Sequence, residues 1–237
     1  MNTQLDKEKA EIALSGRVRD LVFGVQDGLI SLLGLLCGVQ SATDDSHVVI
    51  ITGFAAMFTG ALSMATGAYL STQAEKEIFE KEIKEEEKFV KGHPFLAHEA
   101  LVEELSKEGF SHEKACDLAK IFSRHKVAYL KTFQEKVLGL GAANLSKPFL
   151  SAVVMYFAFV LGAFVPIFPY FIFNVDQGVW VSVGLSAGAL FLFGVFKSYL
   201  AQKSLWRGGL EFLLIALVSA ALGWGVGQFL APGVILP

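Results

Sequence analysis

The chain has 237 residues, a formal net charge of −3, 53% hydrophobic residues and 21 Phe, with a mean hydropathy of +0.51. A soluble domain carries about 45–50% apolar residues with Gly included, so this composition excludes an ordinary water-soluble globule and predicts an integral membrane protein. The two cysteines, Cys37 in an apolar run and Cys116 in a charged one, fall on opposite sides of the predicted membrane, which excludes a disulfide between them.

The chain opens on MNTQLDKEKAEIALS, which is charged and lacks the apolar core of a cleavable signal, so the first span is expected to act as its own insertion signal. Residues 3–14 read either as a short helix along the membrane surface or as a solvated tail. Five runs are long and apolar enough to cross a hydrocarbon layer that needs about 20 helical residues: 21–39, 48–70, 149–173, 179–196 and 212–230. The predicted fold is an all-α membrane protein of five transmembrane helices, with a three-helix cytoplasmic domain inserted between helices 2 and 3. Its expected divisions are an N-terminal segment over 1–18, spans one and two over 19–72, the helical domain over 73–147, and spans three to five over 148–237.

Orientation follows from the basic residues. Lys7, Lys9, Arg17 and Arg19 precede span one; the remainder of the 20 Lys and Arg lie between Lys76 and Lys147 or in the turn holding Lys197, Lys203 and Arg207. The segments 40–47, 174–178 and 231–237 contain none. The positive-inside rule therefore puts the N-terminus and residues 73–147 in the cytoplasm and the C-terminus on the opposite side.

Span one, RDLVFGVQDGLISLLGLLCGV, contains a single acid inside its apolar part, Asp27. A carboxylate at that depth costs roughly 2.5–3.5 kcal/mol on insertion scales, so the protein must supply compensation. Gly24 and Gly28, then Gly34 and Gly38, are paired four apart and stack on one face, where small residues let a second helix approach closely. Asp27 adjoins this face and is expected to point at a partner helix. Span two has no charge and repeats the device with Gly53, Gly60 and Gly67; Met64 lies beside that stripe.

Alone, Met64 reads as a gap-filling core residue. Opposite Asp27, at a similar depth on an antiparallel helix, it reads as half of a metal site. Mg and Ca have no use for sulfur, whereas later divalent transition metals accept a mixed oxygen and sulfur shell. A twofold axis between two glycine-faced chains would supply the other half, which predicts a homodimer with the path on its interface.

Between spans two and three, 75–91 is expected to continue span two out of the bilayer and stop at Gly92–Pro94, followed by helices over 95–107 and 112–138. Glu75, Glu82 and Glu86 stack on one face of the first, and Glu99 and Glu103 are one turn apart on the second. Two readings stand: a metal-collecting surface of hard oxygen ligands, or a solvated face of i,i+4 ion pairs. His93, His98, His112 and His125 share no ligand spacing and read as surface histidines. Pro166 and Pro169 stand at the end of span three, where they read either as a kink that frees backbone carbonyls or as a plain helix end, and Glu211 is expected to open span five as a helix N-terminal acid. No phosphate loop, paired nucleophile and base, or Cys/His zinc spacing appears, so no enzyme, no cofactor and no nucleic-acid partner is expected.

The runs RDLVFGVQDGL, TGALSMATGAYLS, KPFLSAVVMYFAFVLGAFVPIFPYF and LFGVFKSYLAQKSLWRGGLEFLLIALVSAALGWGVGQ resemble the vacuolar iron transporter family. The likeness extends from Arg19 to Leu230. It implies five spans per chain, a dimer with the path between protomers, and export of Fe(II) or Mn(II) from the cytoplasm in exchange for protons. The family's intramembrane Asp falls on Asp27 and its second-span Met on Met64. Its cytoplasmic ligands fall on Glu86 and Glu103, with Glu82 beside them, whereas Ala97, Ala100 and Val137 stand where acids are usual, with Ala56 and Ala68 in span two where some members carry one. Glu135 is an alternative donor on the third helix.

The function expected is a secondary transporter of divalent Fe or Mn working by proton antiport in a prokaryotic inner membrane. The alternatives are transport of another ion, or a non-transporting membrane protein whose helical domain docks a partner.

Overall fold

The structure, a computed structural model, describes residues 2–137 and 147–230, with side chains in the first helix described from Val18 onward. All of its regular structure is helical: α1 (Asn2–Gln40), α2 (Ser46–Gly92), α3 (Pro94–Lys107), α4 (His112–Ser123), α5 (Lys126–Lys136), α6 (Pro148–Ile167), a 3-10 turn (Phe168–Phe171), α7 (Val175–Leu200) and α8 (Leu205–Leu230). No strand occurs among the described residues. Five helices, α1, α2, α6, α7 and α8, are long and apolar enough to cross a membrane. The chain divides into two compact units, 1–70 with 146–237, and 71–145.

In the first unit α1 is the central helix, packed closely against α6, α8 and α7. The glycine pairs of its sequence are what make this possible. A Cβ on Gly28 would collide with the Phe159 carbonyl and the Ala163 nitrogen of α6, and one on Gly162 of α6 with the Val25 carbonyl of α1. Toward α8 the same reciprocity holds: Gly223 lies on the Gly34 carbonyl and Gly227 on that of Gly38. Backbone lies on backbone at each crossing, the arrangement that small residues permit where lipid offers no hydrophobic drive. The Ser219 hydroxyl adds a 2.8 Å hydrogen bond to the Ile30 carbonyl.

The glycine face expected to meet a second chain is thus occupied within this one. Gly53 and Gly60 of α2 are likewise taken up, by Ile167 and Leu36 and by the Phe159 ring; Gly67 alone of that stripe has open space. α2 joins the unit through side chains, Val49, Met57 and Ala61 packing with Leu32, Leu36, Phe159 and Ile167.

Span boundaries shift where glycines and prolines mislead. α8 begins at Leu205, ahead of the expected 212, because Gly208 and Gly209 are not loop residues: they are buried where α8 crosses α7, against Gly194 and the Phe191 ring. Glu211 therefore lies inside the helix, and the first turn of α8 carries no acid. α6 passes through Pro166 and ends at Ile167, with the 3-10 turn carrying the chain past Pro169; the Pro166 carbonyl accepts a 2.7 Å hydrogen bond from the buried Ser182 hydroxyl. At the N-terminus, 3–14 is neither a separate surface helix nor a tail; it is continuous with α1.

The second unit contains the end of α2 with α3, α4 and α5. Its core is Val90, Ala97, Leu101, Val102, Leu105, Ala115, Ala119, Tyr129 and Phe133. The single helix expected over 112–138 is two helices, because the backbone turns extended at His125 (φ −121°, ψ 92°). Neither Gly nor Pro marks that break in the sequence, SRHK. The turn lets α5 bury Tyr129 and Phe133 in the core while α4 buries Ala115 and Ala119. Residues 138–146, which complete the expected domain, and the tail 231–237 lie outside the described residues.

Two predictions follow from these packings. Gly28→Val should overpack the α1–α6 crossing at a cost of roughly 1–3 kcal/mol or more, since backbone cannot yield as a side chain does, and should lower the thermal midpoint of the purified chain. Gly184→Ala, in open space on α7, should be neutral or stabilising by up to about 1 kcal/mol in the same assay.

In the second unit the Tyr129 hydroxyl is buried without a hydrogen-bond partner among the described residues, and desolvation raises its pKa. Folding thus favours the protonated phenol: that stability is present below about pH 10 and is lost as pH rises beyond it. Tyr129→Phe should be neutral or stabilising by up to about 1 kcal/mol at neutral pH. It should also withstand alkaline unfolding better than the parent, as followed by circular dichroism.

Candidate functional site

Asp27 stands on α1 in a stripe with Phe23, Ser31 and Leu35, spaced one turn apart. Phe23 is 53% exposed and Leu35 38%; Ser31 is exposed and Asp27 half-buried. The helices that cover α1 pack on Gly24 and Gly28 around Asp27 and, two turns further along, on Gly34 and Gly38. Among the described residues the sole hydrogen-bond partner of the Asp27 carboxylate is the Ser31 hydroxyl, one turn on, which donates at 3.3 Å. Among the described residues no cation lies within 4.0 Å of the acid.

Met64 is half-buried and packs against the cluster of Met57, Ala61 and Phe159, which is the core role. No hydrogen bond or ion pair among the described residues joins Asp27 to α2.

Asp20 went unnoticed in the sequence. Its carboxylate is 5% exposed, with Arg19 at 3.6 Å its one described ion-pair partner, and that guanidinium is itself largely in the open. Asp20 and Asp27 are seven residues apart, which is two turns, so they share a face of α1 about 10 Å apart along its axis. That spacing is visible in RDLVFGVQDGL and is the signal that could have found it.

In the second unit Glu82 is exposed and Glu86 half-buried on the extension of α2. Glu103 is exposed on α3 and paired with Lys107 at 3.1 Å, with Glu104 at 3.3 Å from the same ammonium. Hydrogen bonds from Lys107 to Glu103 and Glu104 raise the pKa of that lysine. Further i,i+4 pairs, Lys76–Glu80, Lys81–Glu85 and Lys91–Glu87, run along α2. Among the described residues no three His, Cys, Asp or Glu side chains are grouped to hold a metal ion. The nearest approach to a motif is His112 Nε2 and Cys116 Sγ, 3.8 Å apart one turn along α4. The side chain of Glu135 lies outside those described.

The departures from the acid pattern have a physical counterpart. Ala97 is fully buried in the core of the unit, and Ala100 and Val137 pack against it. At these positions apolar contact has taken the place of a carboxylate that would have to be solvated or paired.

The chain is 29% identical over 226 residues to "Vacuolar iron transporter 1" of Eucalyptus grandis, covering 94% of this chain and 91% of the relative. It is 28% identical over 205 residues to the protein of the same name in Arabidopsis thaliana, covering 86% and 82%. To "Protein CCC1" of Saccharomyces cerevisiae it is 29% identical over 235 residues, covering 92% and 72%. These are plant and fungal proteins, which lends no support to the expected prokaryotic inner membrane, and the first two are named as transporters rather than enzymes. Residues 18–228 match the model of the VIT family, from the start of the described side chains nearly to the end of α8, and the chain belongs to that family.

Proposed function

We propose that this protein is a secondary transporter carrying divalent iron or manganese out of the cytoplasm in exchange for protons, through a path between two copies of the chain. One observation carries the reading: Asp27, in the middle of a membrane-crossing helix, is half-buried between the exposed Phe23 and Ser31, with a serine hydroxyl as its sole described partner. Left against hydrocarbon, that carboxylate is costly. A second copy meeting the Phe23–Asp27–Ser31–Leu35 stripe would bring two carboxylates together, and a divalent cation would neutralise both. The glycines of α1 do not make this interface, since they serve the interior of each copy; the stripe does.

In this reading Asp27 binds the ion while ionised and takes up a proton when the ion leaves. Asp20, two turns nearer the basic end of α1, receives the ion first. Met64 supplies the sulfur that favours iron and manganese over magnesium and calcium. The N-terminal segment 1–18 and the unit over 73–147 lie in the cytoplasm, the C-terminus on the other side, as the basic residues direct. Glu82, Glu86 and Glu103 collect metal at the cytoplasmic mouth. The names of the plant relatives support iron as the cargo.

Proteoliposomes test the central step. Asp27→Asn should reduce Fe(II)-dependent flux and the accompanying proton movement to the level of empty vesicles while the variant still folds and elutes as the parent does. Met64→Leu should retain flux but weaken discrimination against Mg(II) by about tenfold, the order expected for one lost soft ligand. Flux unchanged in Asp27→Asn would sink the transport path.

For the cytoplasmic mouth a second reading has an observation of its own, the pairing of Glu103 with Lys107, which makes that face an ordinary solvated one. Electron paramagnetic resonance of Mn(II) added to the full chain separates them. The collecting role predicts that Glu86→Gln with Glu103→Gln lowers bound Mn(II) severalfold; the solvated-face role predicts no change.

A further inference from the structure

The turn between α7 and α8 encloses a cavity of about 470 Å³ lined by Lys197, Ser198, Lys203, Arg207, Gly208 and Glu211, with two further small or polar residues. Three cations face one carboxylate, and none of the three has an ion-pair partner within 4.0 Å among the described residues. Nor is the helix end a neutral neighbour. α8 starts at Leu205 and its first turn holds Arg207 and no acid, so a fixed cation stands where the helix dipole already favours an anion.

The pocket floor is built rather than accidental. Ser198 is only 7% exposed and lines the cavity, and no hydrogen bond of its hydroxyl occurs among the described residues. Its Oγ lies so close over Gly208 that a Cβ there would collide with it, which accounts for the glycine. Lys197 is held with Nζ 5.0 Å from the centre of the Phe212 ring. The backbone of the turn is tight: Gln202 takes φ 52°, and the Lys203 N–H donates to the Ser198 carbonyl at 2.9 Å. An unpartnered serine hydroxyl and three cations without ion pairs line one volume beside the start of α8, a set of groups suited to a phosphate.

Its rim decides the source of the phosphate. Trp206 is 73% exposed, and Tyr199, Leu205 and Leu210 beside it are exposed as well. Amphipathic rings at the end of membrane-crossing helices belong at the level of lipid headgroups. A ligand whose phosphate enters the cavity therefore has apolar protein surface waiting for its chains. Basic pockets between membrane helices on the side with excess Lys and Arg bind anionic lipid in this manner.

We propose that the α7–α8 turn is a binding site for the headgroup phosphate of an anionic phospholipid, held by Lys203, Arg207 and Ser198. The inference rests on the membrane setting and not on the transport path, so the two can fail separately.

Thermal unfolding of the full-length chain in detergent tests it, with phosphatidylglycerol, phosphatidylcholine or inorganic phosphate added. Phosphatidylglycerol should raise the melting temperature and phosphatidylcholine should not. Lys203→Gln with Arg207→Gln should weaken the apparent affinity for phosphatidylglycerol about thirtyfold while leaving the melting temperature in phosphatidylcholine unchanged. Lys203→Arg with Arg207→Lys, which preserves charge, should retain the response. If the double variant does not fold, Lys203→Gln alone, in the exposed turn, makes the same comparison. Equal responses to the two lipids would overturn the proposal, as would an undiminished response in the Gln variant. A response that inorganic phosphate reproduces alone, and that the Gln variant loses, would overturn the lipid source in favour of a free anion.

Discussion

Backbone contact at the crossings of α1 is the constraint on which the membrane unit depends. Gly28 and Gly162 interlock α1 with α6, Gly34 with Gly223 and Gly38 with Gly227 interlock it with α8, and Gly194 with Gly208 repeats the device between α7 and α8. In lipid there is no water to expel between apolar helices, so association draws on close packing and on hydrogen bonds such as Ser219 to the Ile30 carbonyl. Reciprocal glycines serve both ends: they let the axes approach until many atoms touch, and they bring carbonyls within reach of small hydroxyls.

That economy explains what remains uncovered. With α6 and α8 packed on the glycines of α1 and α7 seated against Leu33 and Cys37, what stays exposed on this part of α1 is Phe23, Ser31 and Leu35, with Asp27 half-buried among them. The same helix places Asp20, buried, two turns away on that face.

The second unit follows soluble rules. Its core of Leu101, Leu105, Tyr129 and Phe133 is apolar, and its exposed helix faces alternate Lys with Glu. Exposed pairs of this kind contribute little to stability, typically well under about 1 kcal/mol each. The burial of Ala97 in this core shows why acids cannot simply be restored there: a carboxylate at that position would have to displace packing that now holds α3 in place.

By itself the sequence determined the number of membrane-crossing helices, because hydrocarbon thickness demands some twenty apolar residues and the chain has five such runs. It also determined the helical nature of the unit between them, the stop at Gly92–Pro94, the resemblance that family membership bears out, and Asp27 as the acid to explain. Tertiary structure alone decided which glycines meet which helices, since spacing says that a face is small but not what lies on it. It decided as well that Gly208 and Gly209 belong inside α8, that the chain breaks at His125 with no Gly or Pro to announce it, and that Ala97 is core. Each of these turns on a neighbour distant in the chain, and periodicity along one helix carries no record of the neighbour it will meet.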